Sequence, residues 1–297
     1  MDKLKLLDAK KTTTMFLIDN NIENHFDDKV NKLVDEMSAG LNGIDTVPGL
    51  KSYIKKDKNS IDNLIALLGI TMEKFKRIVS TVRLKKGFTF DSEWTTKTLR
   101  QNMINNTELM SEFCELFSHG TTNSTVDIPR FILSDFKIDK DVLARLRNRD
   151  YLTKLIKSKI ITEYNNKCVA SYMKKIRNEI ETIAESFGLC FTNVKSVDKT
   201  DIKNVDAISF GDKHIVINIH FSLTTSSGQT KYYYDTVSPL WGKIANTTNL
   251  CLINILDGAG WIGRPSDYAK IFHSCSYFLN LSNISNLKTI IKEFLNV

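Results

Sequence analysis

The period of the apolar residues changes near Leu189. Before that point apolar positions recur three and four apart, the spacing of helices packed on one side. Ile61, Leu64, Ile65 and Leu68 mark one such helix, with Ser60 as its N-cap and Gly69 as its break. Thr71 caps the next, which turns Met72, Phe75, Ile78, Val79 and Val82 inward. A third helix is expected from about Thr95 to Phe117. Val142, Leu143, Leu146, Leu152, Leu155 and Ile156 predict a helical unit over 139–164, and a further helix from about Asn165 to Phe187 should stop at Gly188 as a C-cap glycine.

After Leu189 the period becomes two. LCFTNVKSV and VDAISF read as strands. In HIVINIHFSL, Ile215, Ile217, Ile219 and Phe221 share one face, and Val216, Asn218, His220 and Ser222 the other. A polar Thr/Ser/Gly/Gln stretch follows, then a turn at Pro239-Leu240-Trp241. LCLINIL is almost wholly apolar, the pattern of a buried central strand. A helix over 266–272, a strand SYFLNL and a helix over 284–295 complete the order. Helix–strand–strand–strand–helix–strand–helix predicts an α/β fold with a mixed sheet behind a mainly helical N-terminal region. The expected domains are 1–138 and 139–297.

Composition narrows the function. With 42% hydrophobic residues in 297, the chain can build a real core. Its net charge of +7 suits a polyanionic partner such as nucleic acid. No apolar run approaches the ~20 residues that span a bilayer, and MDKLKLLDAKK lacks the apolar segment of a secretory signal. The five cysteines are odd in number and none form CxxC, so reduced thiols and a cytoplasmic location are expected rather than a disulfide framework or zinc site. Motifs for nucleotide binding, GxSxG hydrolases and HExxH metalloproteases are absent from the sequence.

Two features suggest contact with nucleic acid. The helix pair 61–82 reads either as a helix-turn-helix or as a helical hairpin whose basic face, with Lys74, Lys76, Arg77 and Arg83, is simply solvated. The unit over 139–164 carries Arg145, Arg147, Arg149, Lys154, Lys157 and Lys159 on its polar face, the densest candidate surface for phosphates. Separately, Asp206 opens one strand, and Asn218 and His220 lie on the next, which pairs with it across Gly211-Asp212. Glu181 sits on the helix before them. These four are expected to converge at one end of the sheet.

Residues 177–297 resemble the C-terminal half of the DpnII/MboI group of type II restriction endonucleases, variants of the PD-(D/E)xK nuclease fold. The resemblance rests on RNEIETIAESFGL, VDAISF, IVINIHFSLTTSSGQTK, LINILDGAGW and YFLNLSNI in that order. It implies a restriction-endonuclease-like core and Mg²⁺-dependent hydrolysis of double-stranded DNA at a short palindrome by a homodimer. Asp206 falls on the first metal carboxylate of that group, Glu181 on a helical acid that also holds metal, Asn218 on the Glu of its E-x-N, and His220 on the final residue of that motif. Ser227, Gln229 and Lys231 fall in a loop that would face DNA, joined by Arg145 and Arg149 from the basic helix. Asp257 and Trp261 fall on a D-G-x-G-W turn, whose bland reading is structural.

Asn218 departs from the pattern, because an amide ligates without charge. Three readings stand: Glu181 or Glu179 supplies the missing carboxylate; His220 acts as general base; or the protein binds DNA sequence-specifically without cutting it.

Overall fold

A computed structural model of the chain describes residues 5–89, 91–197 and 200–297. They form two compact units, one of Asn24–Ile161 and one in which the segment up to Glu23 joins Thr162–Val297. The boundary expected at 138 lies elsewhere because the helices after it pack into the first unit's core, and the first helix into the second's.

The helices in chain order are α1 (Leu6–Thr12), α2 (Asn20–Gly40), α3 (Val47–Lys56), α4 (Ser60–Leu68), α5 (Met72–Lys85), α6 (Thr96–Asn105), α7 (Thr107–His119), α8 (Arg130–Leu133), α9 (Lys140–Leu146) and α10 (Arg149–Glu185). Within the helical unit α4 is buried on nearly every side, through Ile61, Leu64, Ile65, Leu67 and Leu68. The Thr71 hydroxyl caps α5 by accepting from the Lys74 amide. The single helix expected over 95–117 is two. Asn106 takes an extended backbone that ends α6, and its side chain accepts from the Leu109 amide to start α7. Apolar spacing on either side hides this break, since a cap is a one-residue event. Conversely, the break expected near Asn165 is absent and α10 runs on for 37 residues. The real break is at Arg147–Asn148, where the Asn148 side chain accepts from the Tyr151 amide.

The α/β unit holds one sheet in the order β1 (Phe191–Ser196), β2 (Lys203–Phe210), β3 (Lys213–Phe221), β4 (Leu250–Asp257), β5 (Tyr277–Leu279). β1, β2 and β3 are antiparallel, whereas β4 and β5 run parallel to β3. The β2–β3 hairpin turns through Gly211-Asp212, with Gly211 at φ +59°, the conformation this first turn position favours in glycine. All eight residues of β4 are buried, as a central strand requires.

Parallel pairing of β3 with β4 demands a crossover. It is made by α11 (Gly228–Tyr232), a π-helical turn over Tyr233–Val237 and α12 (Ser238–Ile244). The expected turn at Pro239-Leu240-Trp241 is therefore helix, and Pro239 follows directly on the π turn within one continuous helical run. Helices α13 (Pro265–His273) and α14 (Leu287–Leu295) close the unit. One face of the sheet buries Ile208, Ile215, Ile217 and Ile253 against Tyr172, Ile176 and Ile180 of α10 and Ile290 and Ile291 of α14. The other buries Ala207, Val216, Leu252 and Leu256 among Val237, Ile244, Tyr268 and Phe272. Among the described residues no helix is long and apolar enough to cross a membrane.

Candidate active site

The β2–β3 ladder covers only Ala207–Phe210 and Lys213–Val216. Beyond it, β2 stays paired to β1 back to Lys203, while β3 stays paired to β4 as far as Phe221. The two strands part, and a cavity of about 490 Å³ lies in the fork. Asp206 lines one lip and Asn218 the other, with Arg177 of α10 and Asp235, Thr236 and Lys243 of the crossover around them. Asn204, two residues before Asp206, also lines the cavity and has φ +53°, a left-handed backbone inside a strand that asparagine tolerates better than most residues.

The expected meeting of Asp206, Asn218 and His220 on one face does not occur. Asp206 shares the face of Ile208, which packs on α10, and its carboxylate is ion-paired with Arg177 and accepts from Asn193 Nδ2 at 3.3 Å. Asn218 and His220 share the opposite face with Val216. Only the fork lets Asp206 and Asn218 reach one cavity. Asn218 donates its amide nitrogen to Asn254 Oδ1 at 3.2 Å, and buried Asn254 donates onward to the carbonyls of Ile271 and Ser274. What Asn218 has left to offer is a neutral carbonyl oxygen.

His220 does not line the cavity. Its ring lies 4.2 Å from that of Tyr232 and 5.2 Å from that of Trp261, and its buried Nδ1 has no partner. Burial pushes its pKa down to about 4, so the ring is neutral at pH 7 and a feeble base. The general-base reading of His220 is thereby corrected. A stability consequence follows. The unfolded chain, titrating near 6.5, binds a proton that the fold refuses; stability is whole above that pH and is lost as pH falls through about 4. His220→Phe keeps the aromatic packing and should abolish an acid-side loss on the order of 2–3 kcal/mol. Denaturant melts of both proteins from pH 7 to pH 4 measure this, and parallel curves would refute it.

Glu181 is exposed on α10, one turn beyond Arg177, and neither it nor exposed Glu179 lines the cavity. The expected metal pair of Asp206 and Glu181 is not brought together. Gln229, expected at DNA, is buried: its Nε2 donates to Ser222 Oγ and to the Thr224 carbonyl, and its Oε1 accepts from the Ser226 amide, so it fastens the loop after β3. Ser227 and Lys231 are exposed. Arg145 is exposed, with its guanidinium 5.9 Å from the Tyr151 ring. Arg149 bonds Asp35 at 2.5 Å and Asn31 at 3.3 Å, an exposed pairing weak enough to exchange for phosphate.

The basic face of the helix pair 61–82 is largely paired within its own unit. On α5, Lys76 and Arg77 pair with Glu93 and Glu73, Lys74 with Asp135 and Lys85 with Asp127, while buried Arg83 donates to the carbonyls of Thr89 and Ser92. Only Arg83 is withdrawn by burial; the exposed pairs are, like that of Arg149, weak enough to exchange for phosphate.

The D-G-x-G-W turn is structural. Fully buried Asp257 accepts from the Thr14 amide, the Tyr172 hydroxyl and the Leu281 amide at 2.5, 2.5 and 2.7 Å. Burial still pushes its carboxyl pKa up, against those donors. Gly258 has φ +111°, and a Cβ there would stand 2.1 Å from the Ser222 carbonyl oxygen. Trp261 is buried beneath the turn.

Among the described residues no three acids, histidines or cysteines group to cage a metal ion. Magnesium, however, is commonly held by one or two carboxylates with waters and substrate phosphate completing its shell. The cavity offers oxygen donors of that kind, and the Arg177 guanidinium on Asp206 already supplies the positive charge that such an ion would bring. The donor set therefore fits an ion shared with the substrate. Nothing in the sequence marks Arg177, Asp235 or Lys243 as a site residue, since their only signal is charge beside apolar periodicity. Comparison with known protein families, with characterised proteins and with solved structures finds no match to this chain.

Proposed function

We propose that the protein is a site-specific DNA endonuclease that hydrolyses double-stranded DNA with Mg²⁺ on a restriction-endonuclease-like core, acting as a two-fold dimer on a short palindrome. The observation that carries the reading is the fork: a half-buried carboxylate, Asp206, in a cavity also lined by Arg177, Lys203 and Lys243. The order of elements supports it too: a helix, an antiparallel meander and a crossover to a parallel strand.

In this reading Asp206 holds the cation. Arg177, Lys203 and Lys243 receive the scissile phosphate and offset charge as it builds on the phosphoryl oxygens. Bound there, the ion would acidify a water and polarise the phosphate. Water adds at phosphorus and the 3′ oxygen leaves, so each cut end carries a 5′-phosphate. Exposed Lys231 and Arg145 remain available for phosphates away from the cut.

A second reading, a DNA-binding protein with a degenerate nuclease site, is favoured by one observation: Asn218 is neutral and Asp206 is already neutralised by Arg177. Digestion of a sequenced plasmid with Mg²⁺ or EDTA separates the two. Defined fragments with mappable ends, lost in EDTA, are expected. Salt-sensitive binding with uncut DNA would establish the second reading instead.

A further inference from the structure

We infer that Asp235 supplies the carboxylate missing at Asn218, so that Asp206 and Asp235 together hold the divalent cation; this rests on the endonuclease reading. The crossover presents one face to the cavity. Tyr232, Asp235, Thr236, Leu240 and Lys243 all line it, at the three-and-four spacing of a helix side. Asp235 sits in the middle of that face.

It also sits within the π-helical turn Tyr233–Val237. A π turn inserts a residue into an otherwise α-helical run and re-aims the side chains beside it, and such turns are frequent at functional sites. Here the residues re-aimed toward the fork are Asp235 and Thr236.

The other acids are committed or misplaced. Asp267 on α13 accepts from the Thr230 hydroxyl and pairs with Lys270. Glu181 lies outside the cavity. Asp201 also lines it with a free carboxylate, but from the segment before β2, where Lys243 Nζ donates to its backbone carbonyl at 3.1 Å, and not from the crossover face. Asp235 is exposed and makes no ion pair or hydrogen bond among the described residues. A free carboxylate facing the same space as Asp206 completes the two-carboxylate set that magnesium uses with a phosphate. Arg177 then holds the place of the ion until it arrives.

Calorimetric titration of the full chain with Mn²⁺, without DNA, tests the assignment. Asp235→Asn and Asp206→Asn should each weaken Mn²⁺ binding about tenfold or more, in line with the dependence of affinity on ligand charge. Both variants should keep wild-type circular dichroism, melting and DNA binding in EDTA. Asp201→Asn and Glu181→Gln should bind Mn²⁺ as the wild type does. Wild-type affinity in Asp235→Asn, or loss in Glu181→Gln instead, overturns the inference alone if the wild type still cuts DNA. A wild type that neither binds Mn²⁺ nor cuts takes the endonuclease reading down with it.

Discussion

Asp257→Ala is expected to destabilise the α/β unit by about 3–5 kcal/mol, since three buried donors lose their partner at a cost of about 1–3 kcal/mol each. The cost lies less in the lost bonds than in the donors left behind. Thr14 and Leu281 would keep amides aimed at nothing, and so would the Tyr172 hydroxyl, whose ring stacks on Phe221 at 4.2 Å and is not free to turn away. Tyr172→Phe removes one donor and leaves the carboxylate two, so it should cost about 1 kcal/mol. Asparagine at 257 should rank with alanine, because its amide nitrogen would face backbone N–H groups. Burial raises the carboxyl's pKa in the fold above its unfolded value, against the pull of its three donors, so folding disfavours its ionisation. Stability linked to Asp257 is therefore full at acid pH below the unfolded carboxylate's range, and declines as pH rises through the raised value. Denaturant melts of the three variants beside the wild type give the ranking; a loss under 1 kcal/mol for Asp257→Ala would show that the turn is held by other contacts.

Asp206→Ala should leave the fold standing and reduce Mg²⁺-dependent cleavage by ~1000-fold or more. The two effects separate because Asp206 lies at the mouth of the fork. Its partner Arg177 has a side chain 40% exposed, so the orphaned guanidinium returns to water and the pair contributes little to stability. Removal of the carboxylate leaves Arg177, Lys203 and Lys243 around the cavity, so affinity for DNA should hold or rise while cutting stops. Gel-shift titration and plasmid digestion on one preparation report both quantities. Undiminished cleavage by Asp206→Ala would remove Asp206 from the site.

The sheet was readable because β3 keeps a period of two and β4 is an unbroken apolar run; both, and the turn at Gly211-Asp212, fall where those patterns put them. That same two-residue turn already implies that Asn218 lies opposite Val205, one position from Asp206 and so on the other face. What no local pattern contains is the parting of β2 from β3 beyond Ala207, which depends on β1 and β4 competing for the two strands. The crossover was hidden for a different reason. Three consecutive tyrosines, Thr236 and Val237 lean toward strand by propensity, and only the parallel partner forces them into a helix. Asp235 was lost with it. Gln229 shows the limit from the other side: a polar residue in a Ser/Thr/Gly loop looks like surface, and only the loop's return over Gly260 buries it.

The helical unit interrupts the α/β unit rather than preceding it, and this governs the order in which the chain can fold during synthesis. Thr14 and Asp257 stand 243 positions apart, and Thr12 and Ser282 stand 270 apart. At roughly 5–20 residues per second the first segment leaves the ribosome ten seconds or more before its partners exist. Asn24–Ile161 has its own core and can be complete by then. The segment up to Glu23 is thus made well before its partners and can be placed only after them, and contacts of such long separation slow its docking.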